Sequence, residues 1–139
     1  MIRGLVDANI LVYAANADEP KKHMQAKVFI QQVISQPADY VVSYQSLREF
    51  ASVSIKKAHL SHEKIREYVT EFQYAFGDLI IDLPMDIASA TTIVDAHKAP
   101  FWDSLLASTA FRHGIFTIYT ENVKDFEKIP GIKPINPLK

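Results

Sequence analysis

Apolar and polar positions alternate between two periods along the chain. Ile2 to Val6 reads as a short buried strand. From Pro20 to Gln36, Ala26, Phe29, Ile30, Val33 and Ile34 recur at helical spacing, and Pro37 ends that helix. Tyr40 to Ser43 is a second β-rich run. Leu47, Phe50, Ala51, Ser54, Ile55 and Ala58 then form a helical stripe. Ser61 suits the N-cap of a further helix with Ile65, Tyr68, Val69, Phe72 and Phe76 on its apolar face, and Gly77 suits its exit. Leu79 to Leu83 reads as a third strand. Pro84 opens a helix carrying Ile87, Ala90, Thr91 and Val94, broken at Pro100. Another helix spans about Trp102 to His113 and closes at Gly114. Phe116 to Thr120 is a fourth strand, and Ile132 to Ile135 a fifth.

Strands that alternate with helices over a whole chain predict an α/β layered fold with a mainly parallel sheet. The 139 residues carry no internal repeat and no linker, which predicts a single domain over 1–139. In such sheets, ligands collect beyond the carboxyl ends of the strands, where the strand order reverses. Polar residues directly after strands are therefore the first candidates: Asp7 after the first, and Thr120, Glu121 and Asn122 after the fourth.

Composition narrows the chemistry. The chain has no cysteine, which removes disulfides, thiolate metal sites and cysteine nucleophiles together. With 15 basic and 16 acidic residues, bulk charge announces no nucleic-acid partner, so any such partner needs a local basic patch. No uncharged apolar run approaches the ~20 residues of a membrane span. The apolar start is cut by Asp7 and Asn9 and makes a poor signal peptide. A soluble cytoplasmic protein is expected.

Most of the acidic residues need no special role. Glu63, Glu67 and Glu71 lie on the polar face of one helix. Asp7 differs, because Leu5, Val6, Ile10, Leu11 and Val12 around it are apolar. It reads either as a helix N-cap or as a site residue. Glu49 lies off the Leu47/Phe50/Ala51 stripe and by itself reads as a surface glutamate. Asp103 sits in the first helical turn, where negative charge is favoured, and small residues beside it leave room for a ligand. Together, one carboxylate ending a strand, one on a central helix and one starting a late helix would repel each other or recruit a cation. Oxygen ligands without cysteine or a paired-histidine motif suit Mg²⁺ or Mn²⁺.

The segments LVDANILVY, SLREFASV, WDSLLASTAF and IYTENVKDF, in this order, resemble the PIN domain family, and within it the VapC-type toxins of toxin–antitoxin pairs. The resemblance covers nearly the whole chain. It implies a three-layer α/β fold, a mainly parallel five-stranded sheet flanked by helices, and an endoribonuclease that hydrolyses RNA phosphodiester bonds with Mg²⁺ or Mn²⁺. By it, Asp7, Glu49 and Asp103 match the catalytic, metal-holding carboxylates. Asn122 stands where many members carry a fourth aspartate; it keeps a carbonyl ligand but removes a charge, and Glu121 or Asp125 can contribute in its place. Asn9 matches the polar partner of the first aspartate and Thr120 a hydroxyl near the pocket. The resemblance also implies a cognate antitoxin protein as partner, and homodimers are common in such proteins.

RNA contacts fall to scattered basic groups: Lys56, Lys57, Arg112 and Lys124. Tyr13, Tyr44 and Trp102 are able to stack on bases, although Leu105 and Leu106 beside Trp102 favour a core position for it. The five histidines form no H-x-x-x-H pair and receive no catalytic role. A haloacid-dehalogenase phosphatase would need an aspartate where Asn9 stands, and a receiver domain would need a lysine better placed than Lys133. The remaining alternatives are a non-catalytic PIN-like binding or scaffold module and a housekeeping RNA-processing nuclease.

Overall fold

The computed structural model describes residues 3–57 and 59–139; Ile2 of the expected first strand and Ala58 of the expected second helical stripe lie outside them. The elements follow in the order β1 (Gly4–Val6), α1 (Ala8–Ala15), α2 (Pro20–Ser35), a single 3-10 turn (Pro37–Asp39), β2 (Tyr40–Ser43), α3 (Tyr44–Lys56), α4 (His62–Ala75), β3 (Asp78–Ile80), α5 (Pro84–His97), α6 (Phe101–Arg112), β4 (Thr117–Tyr119), α7 (Val123–Phe126) and β5 (Lys133–Ile135). The sheet has five strands in the order β3-β2-β1-β4-β5, and every neighbouring pair is parallel. Parallel neighbours cannot be joined by hairpins, so each connection runs through a helix.

Consecutive strand residues face opposite layers. Leu5 and Val41 pack with Ile118, Leu106, Ala110 and Phe126 on one side of the sheet. Val6 and Val42 pack with Leu11, Phe29, Phe50 and Phe72 on the other. Two apolar layers thus sandwich the sheet, as both-face burial of a parallel sheet requires. The edge strand β3 is shorter than the expected Leu79–Leu83. It pairs only along Val41 to Ser43 of β2, and beyond Ile80 there is no further β2 for it to follow. Ile81 and Leu83 are exposed, and Leu83 caps α5 instead. Two helices come in addition to those read from periodicity, α1 and α7. Both follow directly after the two strands whose ends carry the polar candidates.

The first strand is at the centre. Numbering runs outward from β1 through β2 and β3 on one side and through β4 and β5 on the other. The strand order therefore reverses between β1 and β4, and a crevice opens at their carboxyl ends.

Candidate active site

Asp7 stands at that crevice. Its backbone N–H still donates to the Tyr119 carbonyl at 2.9 Å, continuing the β1–β4 ladder. Its side chain then starts α1, with Oδ1 accepting from the Ala8 N–H at 2.7 Å. The capping and site readings of Asp7 both hold, one for each carboxylate oxygen. Oδ2 accepts from the Thr120 hydroxyl at 2.8 Å, and Asn9 Nδ2 lies 3.5 Å away. Thr120 is fully buried and also accepts from the Asn122 N–H at 2.9 Å, while Asn9 Oδ1 accepts from the Glu121 N–H at 3.2 Å. Asn9 and Thr120 thus hold the end of β4 against the end of β1.

Glu49 reaches the same place from α3. Ser43 caps that helix by accepting from the Ser46 N–H, and Ser46 Oγ donates to the Val6 carbonyl at 2.9 Å. This fastens the start of α3 to the end of β1, and Glu49 lies about one turn further on. Gln45 Nε2 donates to Glu49 Oε1 at 2.7 Å and to the Trp102 carbonyl at 2.8 Å. The second bond ties α3 to the first turn of α6, where Asp103 follows Trp102. Asp103 Oδ2 accepts from Asn122 Nδ2 at 3.0 Å.

Asp7, Asn9, Glu49, Lys57, Asp103 and Asn122 line one open hollow of about 400 Å³. Its electrostatics are those of crowded acids. Burial, with the nearby Glu49 charge, pushes Asp7 up to about 6 against the bonds from Thr120 and Ala8. Burial and the charges of Asp7, Asp125 and Glu49 push Asp103 up to about 7, with Asn122 opposing. Glu49 is raised by burial, against its bond from Gln45. Four carboxylates, Asp7, Glu49, Asp103 and Glu19 at the rim of α2, line the hollow with only Lys57 for a cation among the described residues, which is the donor chemistry of a hard divalent ion site.

The expected convergence on a single ion is not reached in this arrangement. Among the described residues, no three His, Cys, Asp or Glu side chains stand close enough together to hold one ion. Asn122 was expected to offer its carbonyl, yet it turns its N–H toward Asp103.

Other expected residues separate into groups. Glu121 is held by the Lys22 ammonium and by the Tyr13 hydroxyl at 2.9 Å, so its carboxylate braces α2 and α1 rather than lining the hollow. Asp125 pairs with Lys128 at 3.4 Å and reaches Asp103 only through its charge. Lys124 is exposed and outside the hollow. Arg112, expected to meet RNA, instead grips buried Asp86 through Nε at 3.0 Å and through its Nη2, which also donates to the Ile81 carbonyl. A guanidinium so engaged is a structural partner, and it does not line the hollow. Trp102, expected in the core, is 61% exposed. Side chains on a helix lean toward its N-terminus, so an indole in the first turn of α6 overhangs the packed layer beneath Leu105 and Leu106.

Sequence reasoning gave no role to Gln45 and Lys22. Gln45 is four residues before Glu49, on the same face of α3, and that spacing was a usable signal. Lys22 meets Glu121 only through the tertiary fold, and no local pattern marks it.

The all-parallel sheet thus carries its acidic hollow at the switch point, where α/β domains place their ligands. The chain belongs to the PIN domain family, whose profile matches residues 4–132. Among curated proteins none matches the sequence. Several solved structures are similar in fold. A DNA-bound VapBC from Salmonella typhimurium is 19% identical, with 99% of each chain covered and a TM-score of 0.72. VapBC-1 from nontypeable Haemophilus influenzae is 17% identical over 100% of both chains, TM-score 0.71. VapC20 from Mycobacterium tuberculosis, described as a sarcin-ricin loop cleaving toxin, is 16% identical over 89% of this chain and 92% of its own, TM-score 0.70. No helix among the described residues is long and apolar enough to cross a membrane.

Proposed function

We propose that the chain, as one domain over 1–139, is a divalent-metal-dependent endoribonuclease and the toxin of a toxin–antitoxin pair. The observation that carries the reading is that Asp7, Glu49 and Asp103, from the end of β1, from α3 and from α6, line one hollow at the switch point of a PIN-family sheet. Asp7, Glu49 and Asp103 would hold Mg²⁺ or Mn²⁺, with Asn122 as an auxiliary oxygen once it turns. Bound there, such an ion supplies neutralisation of phosphate charge and a more acidic water.

The remaining work falls to the chain's own groups. Thr120 and Asn9 keep Asp7 oriented, and Gln45 keeps Glu49 oriented. Asp103, from the start of α6, would accept a proton from the attacking water or orient it. Lys57 brings positive charge to the phosphate. In-line attack by water leaves 5′-phosphate and 3′-hydroxyl ends without a covalent intermediate. The antitoxin partner is supported by the toxin–antitoxin complexes among the similar folds. Homodimerisation and a cytoplasmic location belong to the same reading.

The test is RNA cleavage with Mn²⁺ or with EDTA, beside Asp7→Asn and Asp103→Asn. Cleavage that needs the metal and is lost in both variants supports the enzyme. Cleavage indifferent to all three rejects it. The non-catalytic reading is favoured by Asn122 and by the lack of a three-carboxylate ion cluster among the described residues. RNA binding without cleavage under every metal would establish it. Growth arrest on induced expression separates a toxin from a housekeeping nuclease.

A further inference from the structure

A second groove lies on the far side of Glu49. It is about 540 Å³ and runs between α3 and the start of α6, with Gln45, Arg48, Glu49, Lys56, Trp102 and Leu105 among its walls. Glu49 is common to this groove and to the acidic hollow, so the two adjoin across one side chain. We propose that this groove seats one unpaired base of the RNA strand whose neighbouring phosphate lies in the hollow, with the base stacked on Trp102. The proposal rests on the nuclease reading for the identity of the strand.

Three observations point to that occupant. First, the Trp102 indole is exposed, while Leu105 beneath it is buried. It is nevertheless held in place. Phe101 packs against it with ring centroids 5.1 Å apart and planes at 74°, and Gln45 fixes its carbonyl. A large aromatic surface in water, flanked by a second ring and carried on a fixed backbone, is suited to stacking on a base.

Second, positive charge is divided between the two cavities. Lys56 lines the groove and Lys57, the next residue, lines the hollow. Neither forms an ion pair among the described residues. Consecutive lysines on either side of Glu49 complement consecutive phosphates of one strand.

Third, the far wall is closed by a committed pair. Arg48 donates to Asp82 at 2.6 Å, so that guanidinium is neutralised and the groove ends there. What remains is an aromatic surface with one unpaired cation, in an open groove with room for a base. A base inside a duplex is already stacked and paired, so the occupant is an unpaired one.

Trp102 is the sole tryptophan of the chain, and its fluorescence reports on the groove directly. The experiment uses the full-length Asp7→Asn protein in EDTA, where the strand is not cut, and titrates short single-stranded RNA, its duplex, and strands with one abasic position moved along the sequence. Saturable quenching by the single strand, weak quenching by the duplex, and one abasic position that weakens binding about tenfold are expected. Lys56→Ala lowers the slope of log affinity against log salt by about 0.7. In cleavage by the otherwise intact enzyme, Trp102→Ala raises KM about tenfold with the loss carried by KM rather than kcat, and Trp102→Phe restores most of it.

Equal quenching by duplex and single strand, or quenching insensitive to every abasic position, overturns the proposal; the latter would mark the groove as a backbone or peptide site. An unchanged KM in Trp102→Ala also overturns it and leaves the nuclease reading standing. If the protein cuts no RNA while the quenching and abasic results hold, the nuclease reading fails and the base seat survives.

Discussion

Gln45 divides one amide nitrogen between the Glu49 carboxylate, at 2.7 Å, and the Trp102 carbonyl, at 2.8 Å. Its own carbonyl oxygen is buried without a hydrogen-bond partner. A buried acceptor without a partner is unfavourable, so Gln45 orients Glu49 at a cost to stability. Gln45→Leu removes both bonds and the orphaned oxygen together. The expected outcome is an unfolding midpoint at or near that of the parent, with metal-dependent cleavage reduced about 10- to 100-fold, as for other losses of a group that orients a metal ligand. Cleavage rate against Mn²⁺ concentration, measured beside urea unfolding, checks both halves.

Thr120→Val keeps the shape of the side chain and removes the hydroxyl. Asp7 Oδ2 then loses its shortest donor and the Asn122 N–H loses its acceptor. A cost of about 1–3 kcal/mol is expected for groups left unpaired in the interior, read by urea unfolding. Asp7 should titrate still higher, since the Thr120 bond is the strongest influence holding it down.

The raised carboxylates set a pH dependence of stability. Asp7 ionises near 3.8 when unfolded and about 6 when folded; Asp103 near 3.8 and about 7. Over that window the native state binds more protons than the unfolded state, so stability falls as pH rises. The metal-free protein is therefore expected to be more stable at about pH 4 than at about pH 7, with Asp7 contributing on the order of 2 kcal/mol. Mn²⁺ should recover part of the loss above about pH 6, and Asp7→Asn should flatten the profile. Unfolding titrations across the range, with and without metal, test the sign.

Arg112→Ala distinguishes a structural arginine from an RNA contact. Buried Asp86 would keep its bond from the Leu83 N–H and lose the guanidinium. Burial works against the charged form of Asp86, and Arg112 and the Leu83 N–H together hold it below the usual carboxylate range. The expected result is a melting temperature lower by several degrees and an unchanged KM for RNA below that temperature. A KM shift without loss of stability would return Arg112 to the substrate.

Much of this was legible in the chain because periodicity and site chemistry are local. Helices α2, α4 and α6 and strand β2 follow from apolar spacing, and Ser61 caps α4 as expected, accepting from the Lys64 N–H. The shared hollow of Asp7, Glu49 and Asp103 was legible only as a constellation of three weak signals. What stayed hidden depends on neighbours distant in sequence. The length of β3 is set by β2, the partner of Arg112 lies 26 residues away, and the exposure of Trp102 depends on where the packed layer under α6 stops. Helix α1 was obscured because Ile10, Leu11 and Val12 form a continuous apolar run that fits a strand as well as a buried helix.

The pairing of Gly4–Val6 with Thr117–Tyr119 joins segments more than a hundred residues apart in one ladder. Asp7 emerges early in synthesis, but Thr120 and Asn9 can clasp each other only after most of the polypeptide has left the ribosome. A growing chain therefore carries one half of this clasp long before the other, and the hollow takes shape only once α6 and β4 have both been made.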